Sequence, residues 1–304
     1  MSQTPGPPVR EATTKAQLLV RVPSYDRFRR ADMESSLGII AGGGPLPAQV
    51  AAAARAMGRD VFIAAIEGYA DSALLADFPH RFYRLGAAGA MMRAFREHGC
   101  IDLVMIGPVK RPSFLSLRPD AEGARLLARV GKAAFLGDDG LLAAIVAVLS
   151  AEGFRILGAH EIMHDVVAPK GMLAGGVPDA QAMTDIERGV AVLKLIGEAD
   201  IGQACVVQQG LVLAVETVEG TDAMLGRIPA VTRPGPAGIL IKIAKPQQER
   251  RADMPTIGPQ TVRHALKAGL RGLAFEAGGT ILVDRETLIQ VADREGFFLF
   301  GVVV

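Results

Sequence analysis

The segment from Lys245 to Gly258 (Lys-Pro-Gln-Gln-Glu-Arg-Arg-Ala-Asp-Met-Pro-Thr-Ile-Gly) crowds cations, two carboxylates and two carboxamides into one short stretch. Such a set suits a phosphate ester. Lys245 and Arg251 would hold oxygens, while Glu249 and Asp253 would hold a divalent metal or orient a water. The apolar run Gly238-Ile239-Leu240-Ile241 ahead of it reads as a buried strand, and a helical pattern begins near Pro259. The segment is therefore a strand-to-helix loop, and in open α/β sheets ligands bind beside loops at the carboxyl ends of strands. A solvated charged loop would have the same composition.

Other segments invite chemistry less directly. Gly42-Gly43-Gly44-Pro45-Leu46-Pro47 joins a strand to a helix, where glycines let backbone approach a phosphate. The dinucleotide fingerprint wants a third glycine where Pro47 stands, although Glu67 ends the second strand where a ribose would be held. His160-Glu161-Ile162-Met163-His164 matches the HExxH zinc signature. That signature needs a stable helix, and here a strand ending at Gly158 and a turn at Pro169 leave room for only about one turn. Gly137-Asp138-Asp139-Gly140 offers a helix cap or a Mg²⁺ pair, and Thr221-Asp222 is open between the same two roles. Gly107-Pro108-Val109-Lys110-Arg111-Pro112 places cations after a strand, and Glu276 precedes a Gly278-Gly279 turn.

The elements that position these residues alternate. Strands are expected at 37–41, 60–66, 81–85, 101–106 and 154–157, with helices at 47–57, 87–98, 120–131 and 139–151. This pattern indicates βαβ units and a parallel sheet. Ala168-Pro169-Lys170-Gly171 and Ala174-Gly175-Gly176-Val177-Pro178 read as a turn-rich linker. Beyond it come a helix at 184–197, strands at 203–207 and 210–215, and a short helix capped near Gly220. The strand before the charged loop follows, then a helix at 259–268, strands at 271–276 and 280–283, a helix at 286–294 and a strand at 297–303. The expected fold class is α/β, with a Rossmann-like domain at 35–168 and a distinct α/β domain at 169–304. Residues 1–34 read as a disordered tail or an extended gene start.

At 304 residues, half of them hydrophobic, the chain can bury a large core. Its 33 basic and 32 acidic side chains leave a net charge of +1, which argues against a general nucleic-acid or anionic-membrane binder. With no Trp and 5% aromatics, a base-stacking platform is not expected. Cys100 and Cys205 lack zinc or redox spacing. No apolar run reaches the ~18 residues a spanning helix needs, and no signal peptide stands out. The expected location is the cytoplasm.

Several of these motifs fall in the order of a known family. From Leu37 to Val304 the chain resembles the LpxI-type UDP-2,3-diacylglucosamine pyrophosphatases of lipid A biosynthesis. The motifs are LGIIAGGGPLP at 37–47, GDD at 137–139, EGFRILGAHE at 152–161, DIGQ at 200–203, QGLVLAVETVEGTDAML at 209–225 and KPQQERRADMPTIG at 245–258. The resemblance implies hydrolysis of the pyrophosphate bond of UDP-2,3-diacylglucosamine to UMP and 2,3-diacylglucosamine 1-phosphate, with Mg²⁺, in a site between the two domains.

The family's key acid carries over to Asp253; Mg²⁺ prefers a few carboxylates plus waters and phosphate oxygens, which Asp253 with Asp222 or Glu249 would provide. Gly43, Gly44, Pro45, Val109 and Asp138 are the substrate-binding positions implied in the first domain. Thr221, Asp222, Lys245, Gln248, Arg251, Thr256 and Glu276 are those implied in the second. The resemblance further implies a nucleotide-linked lipid as substrate and transient, peripheral contact with the inner face of the cytoplasmic membrane. A homodimer is left open. The family pattern has Asn where Pro108 stands, a smaller polar residue at Lys110, and no counterpart of His164. Two other readings of the residues are an NAD(P)-dependent oxidoreductase and a non-catalytic nucleotide-sugar binding protein.

Overall fold

The computed structural model describes residues 35–110, 117–131 and 138–304. The tail at 1–34, Arg111 and Pro112 of the cationic loop, and Gly137 with the Asp138 side chain lie outside the described residues. The first half runs β1 (Ser36–Ala41), α1 (Leu46–Ala56), β2 (Val61–Ile66), α2 (Ser72–Leu75), β3 (His80–Tyr83), α3 (Ala88–Glu97), β4 (Cys100–Ile106), α4 (Ala121–Val130), α5 (Asp138–Ala151) and β5 (Arg155–Leu157). Its five strands are all parallel, in the order β3-β2-β1-β4-β5.

Helices cover both faces of this sheet, so β2 is buried along its whole length and carries no polar residue. The two faces follow the strand period of two. Leu37, Ile39, Ile63 and Ala65 pack with Val50 of α1, whereas Phe62, Ala64 and Ile66 pack with Met92 and Phe95 of α3.

The chain leaves β1 toward β2 on one side and β4 on the other, which opens a crevice at their carboxyl ends. The Gly42 N–H donates to Ile106 O (2.8 Å) and the Gly43 N–H to Pro108 O (3.0 Å), drawing the two loops together there. A Cβ on Gly42 would stand 2.3 Å from Gly107 O, so only glycine permits that approach.

A short α6 (Ala159–Ile162) and a 3₁₀ turn (His164–Val166) lead to the second half. There β6 (Gly171–Ala174), α7 (Ala180–Glu198), β7 (Ala204–Gln208), β8 (Leu211–Val215), α8 (Thr221–Arg227), β9 (Ile239–Lys242), β10 (Thr256–Ile257), α9 (Pro259–Lys267), β11 (Gly272–Glu276), β12 (Ile281–Leu282), α10 (Arg285–Arg294) and β13 (Phe298–Val302) follow. Six strands form a mixed sheet in the order β6-β13-β11-β9-β7-β8. Its β9, β11 and β13 are parallel, while β6 and β7 run antiparallel to β13 and β9. Helix α7 covers one face through Ile186 and Leu193, and α8, α9 and α10 cover the other through Met224, Val262 and Leu288. The α/β class with a Rossmann-like first half is therefore what the chain adopts.

The differences from the sequence pattern have local causes. Residues 171–174, expected as linker, pair with β13 as an edge strand, because Gly301 lets Pro169 O approach to 1.9 Å of where a Cβ would stand. Helix α7 starts a turn earlier than expected, where Asp179 accepts the Ala182 N–H at 2.7 Å as its cap. Thr256 and Ile257, expected inside the loop, form a two-residue parallel pair with β12.

Residues 35–304 form one compact unit, stitched where the charged loop crosses between the sheets. Met254 and Ile281 pack with Leu37, Ile39 and Val50, and Val167 makes a β-bridge with Ile281. Cys100 and Cys205 are buried free thiols, and burial pushes both up to about 12, which keeps them unreactive.

Candidate active site

Strands β9 and β11 lie side by side and parallel, so the loop leaving β9 starts next to Glu276 at the end of β11. Glu276 is buried, and both its oxygens hold this loop. Its Oε2 accepts the Ala244 N–H (2.9 Å), and its Oε1 accepts from Arg250 Nη2 (2.7 Å). A substrate ligand was expected here, and the carboxylate clamps the loop to the sheet. Removing it with Glu276→Ala leaves a buried N–H and a guanidinium without their acceptor, at a cost of about 1–3 kcal/mol. A thermal melt should show a midpoint lowered by about 5 °C; an unchanged midpoint would show that the clamp does not hold the loop.

Inside the loop, Gln248 is the brace. Its Oε1 accepts the Lys245 N–H (3.0 Å), while its Nε2 donates to Asp253 Oδ2 (2.5 Å) and Gln203 Oε1 (3.3 Å). The Asp253 N–H closes a turn on Glu249 O at 2.9 Å. Asp253 is thus half-buried with one carboxylate oxygen fixed by a carboxamide.

Lys245 is held on two sides. Its ammonium lies 2.8 Å from Asp139 Oδ1 and also pairs with Asp200. The Asp139 carboxylate, 4% exposed, has this ammonium as its cationic partner. Burial above all pushes the Asp139 carboxyl up, Lys245 opposes that, and the nearby Asp200 and Asp253 add to the rise. For Lys245, burial works downward but the contacts with Asp139 and Asp200 outweigh it, and its pKa is raised.

Across from this group, Lys242 ends β9 with 8% exposure. Its Nζ donates to Thr221 Oγ1 (3.2 Å), whose own hydroxyl donates to Glu216 Oε1 (2.6 Å); Glu216 Oε2 in turn accepts the Gln203 N–H (3.1 Å). Burial pulls the Lys242 ammonium below the ordinary lysine value, against the attraction of Glu216, Asp222 and Asp253. Thr221, Asp222, Lys242, Thr256 and Thr261 line a cavity of about 330 Å³.

Of the residues singled out from the sequence, Lys245, Gln248 and Asp253 share one network, and Thr221, Asp222 and Thr256 share the cavity beside it. Arg251 holds both oxygens of Glu249 (Nε 2.8 Å, Nη2 2.6 Å) and keeps that carboxyl below its usual value. Asp222 Oδ1 lies 2.8 Å from His264 Nδ1. Among the described residues no three His, Cys, Asp or Glu side chains are placed to hold a metal ion, so Asp222, Glu249 and Asp253 do not form a ready-made ligand set.

Gly43, Gly44, Pro45 and Val109 lie on the loops at the crevice of the first sheet. The Gly43 amide is already donated to Pro108 O, while Gly44, at φ 76°, faces open space. The HExxH histidines do not share a helix: α6 ends at Ile162, and Glu161 accepts the Gly158 N–H at 2.7 Å.

Lys242, Glu216 and Gln203 were not singled out as site residues, and neither was Asp200. Lys242 had a signal, as a lysine closing an otherwise apolar strand, and Asp200 and Gln203 stand in the DIGQ motif.

A Rossmann-ordered parallel sheet is thus joined to a second α/β sheet whose strand-end loop brings acids and cations together. This defines a two-domain α/β protein with a site suited to phosphate chemistry. The chain belongs to the LpxI family: the LpxI N-terminal domain matches residues 36–166 and the LpxI C-terminal domain residues 169–300. It is similar to the UDP-2,3-diacylglucosamine pyrophosphatase LpxI of Caulobacter vibrioides, at 43% identity over 273 residues, covering 88% of this chain and 97% of that protein.

Proposed function

We propose that the chain hydrolyses the pyrophosphate bond of UDP-2,3-diacylglucosamine, with Mg²⁺, to UMP and 2,3-diacylglucosamine 1-phosphate. The observation that carries this reading is the near full-length similarity to a pyrophosphatase of that name, which spans both domains and the Lys245–Gly258 loop. In the reaction a water oxygen bonds to one phosphorus while the bridging oxygen leaves with the other phosphate. The diphosphate's negative charge repels that water, so the site must supply cations and an oriented nucleophile.

Support for a metal comes from the charge balance. Glu216, Asp222 and Asp253 act on Lys242, and Asp139 and Asp200 pair with Lys245, which leaves a surplus of carboxylates. The buried Asp139 carboxylate shares its cationic partner Lys245 with Asp200. Hard oxygen donors of this kind suit Mg²⁺, which keeps several waters and needs only one or two carboxylates beside substrate phosphates. A site without three converging ligands fits an ion that arrives with the diphosphate. Asp253, with Asp222, would hold it; Glu249, tied to Arg251, is the weaker third. When bound, the ion would polarise a phosphoryl oxygen and acidify water.

Asp253 orients water or metal, Gln248 fixes Asp253, and Arg251 faces phosphate charge from the loop's exposed side. The acyl chains bring the enzyme transiently to the inner face of the cytoplasmic membrane. No helix among the described residues is long and apolar enough to cross it.

With Mg²⁺, incubation with UDP-2,3-diacylglucosamine should release UMP. EDTA should stop the release and excess Mg²⁺ restore it. Unchanged release in EDTA would remove the metal from this reading, and no UMP under any condition would remove the reading itself.

A further inference from the structure

Two ammonium groups stand near Asp253, and their surroundings differ. Lys245 directs its donors to two carboxylates, one from each half of the chain, and its side chain is 11% exposed. Lys242 is as deeply buried, yet among the described residues no carboxylate lies within ion-pair distance of its Nζ, and its one hydrogen-bond partner is the neutral Thr221 hydroxyl. An ammonium has three N–H donors, so two remain without a partner among the described residues. A buried cation without a paired anion is costly, and folds keep one where an anion is to be received.

The cavity above Lys242 indicates what that anion is. Thr256 gives its hydroxyl proton to Met254 O (3.2 Å), and Thr221 gives its own to Glu216. Thr261 Oγ1 accepts the Gly258 N–H (3.3 Å), so its proton is free to be donated. Among the side chains lining the cavity, the Lys242 ammonium and the Thr261 hydroxyl are therefore the ones with protons left to donate. The carboxylates at its rim already have cationic or donor partners, Glu219 with Arg227 and Asp222 with His264. At about 330 Å³ the space is at the small end for ligand pockets, enough for a phosphate and part of what it carries.

We propose that Lys242 is a catalytic residue of the site, its ammonium binding a non-bridging oxygen of one phosphate of the diphosphate with Thr261 as the second donor, whereas Lys245 positions the loop. This rests on the pyrophosphatase reading and names which cation meets the substrate. No proton leaves Lys242 in the reaction; it balances charge as the bridging P–O bond breaks. Oxyanion donors of this kind change turnover by about 10²–10³-fold when removed.

The test compares wild type with Lys242→Met, Lys242→Arg and Thr261→Val in two arms. In turnover with Mg²⁺, Lys242→Met should lose about 100-fold or more in kcat. Lys242→Arg should keep part of the rate. Burial makes the lysine shed its proton at lower pH than usual, and the groups facing it are Glu216, Asp222 and Asp253. The alkaline limb of the pH–rate profile should therefore move upward in Lys242→Arg.

In the second arm, calorimetry with UMP and with glucosamine 1-phosphate in Mg²⁺ shows which phosphate is held. Affinity for one of them should fall about tenfold or more in Lys242→Met. If Lys242→Met does not fold, Thr261→Val decides, with a several-fold loss for the same ligand expected. Wild-type release of UMP together with near wild-type turnover and affinities in the folded variants would overturn the Lys242 assignment alone. No UMP from wild type would instead overturn the reading beneath it.

Discussion

Asp253→Ala is expected to lower UMP release by about 10³-fold or more while the thermal midpoint hardly moves. The loss is large because Asp253 is the loop carboxylate whose charge acts both on Lys242 and on the buried Asp139. The fold should survive because among the described residues its side chain makes one hydrogen bond, to Gln248, and the packing next door is done by Met254, which sits with Leu37 and Val50. Asp253→Asn sharpens the point. It keeps the shape and an oxygen for Gln248 Nε2 but removes the charge, so turnover should fall nearly as far. A variant of either kind with near-normal kcat and KM would take Asp253 out of the chemistry.

The second large effect is on stability. Lys245→Met leaves Asp139 and Asp200 without their shared cation, and stranding charges that are 4% and 20% exposed costs about 3–5 kcal/mol. A melting experiment should show a drop of about 10 °C. The loss also carries a pH signature. In the folded chain the Asp139 carboxyl already sits above its usual 3.8 through burial.

A carboxyl raised in the native state binds more protons there than when unfolded, so stability falls as pH rises from 3.8 through the raised value. Without Lys245 the Asp139 carboxyl rises further and the window widens. The variant should therefore recover part of its deficit on moving from pH 7 toward pH 5. Adding Asp139→Asn should recover a similar part at pH 7. A Lys245→Met protein as stable as wild type at both pH values would show that the ion pair carries no weight.

Much of the fold was legible because the first half obeys simple periodicity. Apolar strands such as Val61–Ile66 alternate with helices, and Gly42 marks the first strand end. Gly171–Ala174 was not legible as a strand. Between glycines and prolines its four residues have no strand signature, and only β13 beside them makes them one.

At the site, local composition singled out the loop, and the family motif pointed to Asp253 within it; the structure joins Asp253 to Lys245 through Gln248. Glu276 was singled out as a substrate ligand, and nothing local reveals that both its oxygens are held by Ala244 and Arg250. Lys245 looked like the phosphate cation because its partners, Asp139 and Asp200, are remote in sequence. Lys242, at the end of a run of Ile and Leu, gives no local sign of the cavity it lines with Thr221, Thr256 and Thr261.

The most direct measurement is hydrolysis of UDP-2,3-diacylglucosamine by the purified chain with Mg²⁺ in ¹⁸O-labelled water, with both products read by mass spectrometry. UMP and 2,3-diacylglucosamine 1-phosphate should appear in equal amounts, with one ¹⁸O per turnover in one of the two phosphates. Intact substrate after prolonged incubation, or products without the label, would contradict pyrophosphate hydrolysis at this site.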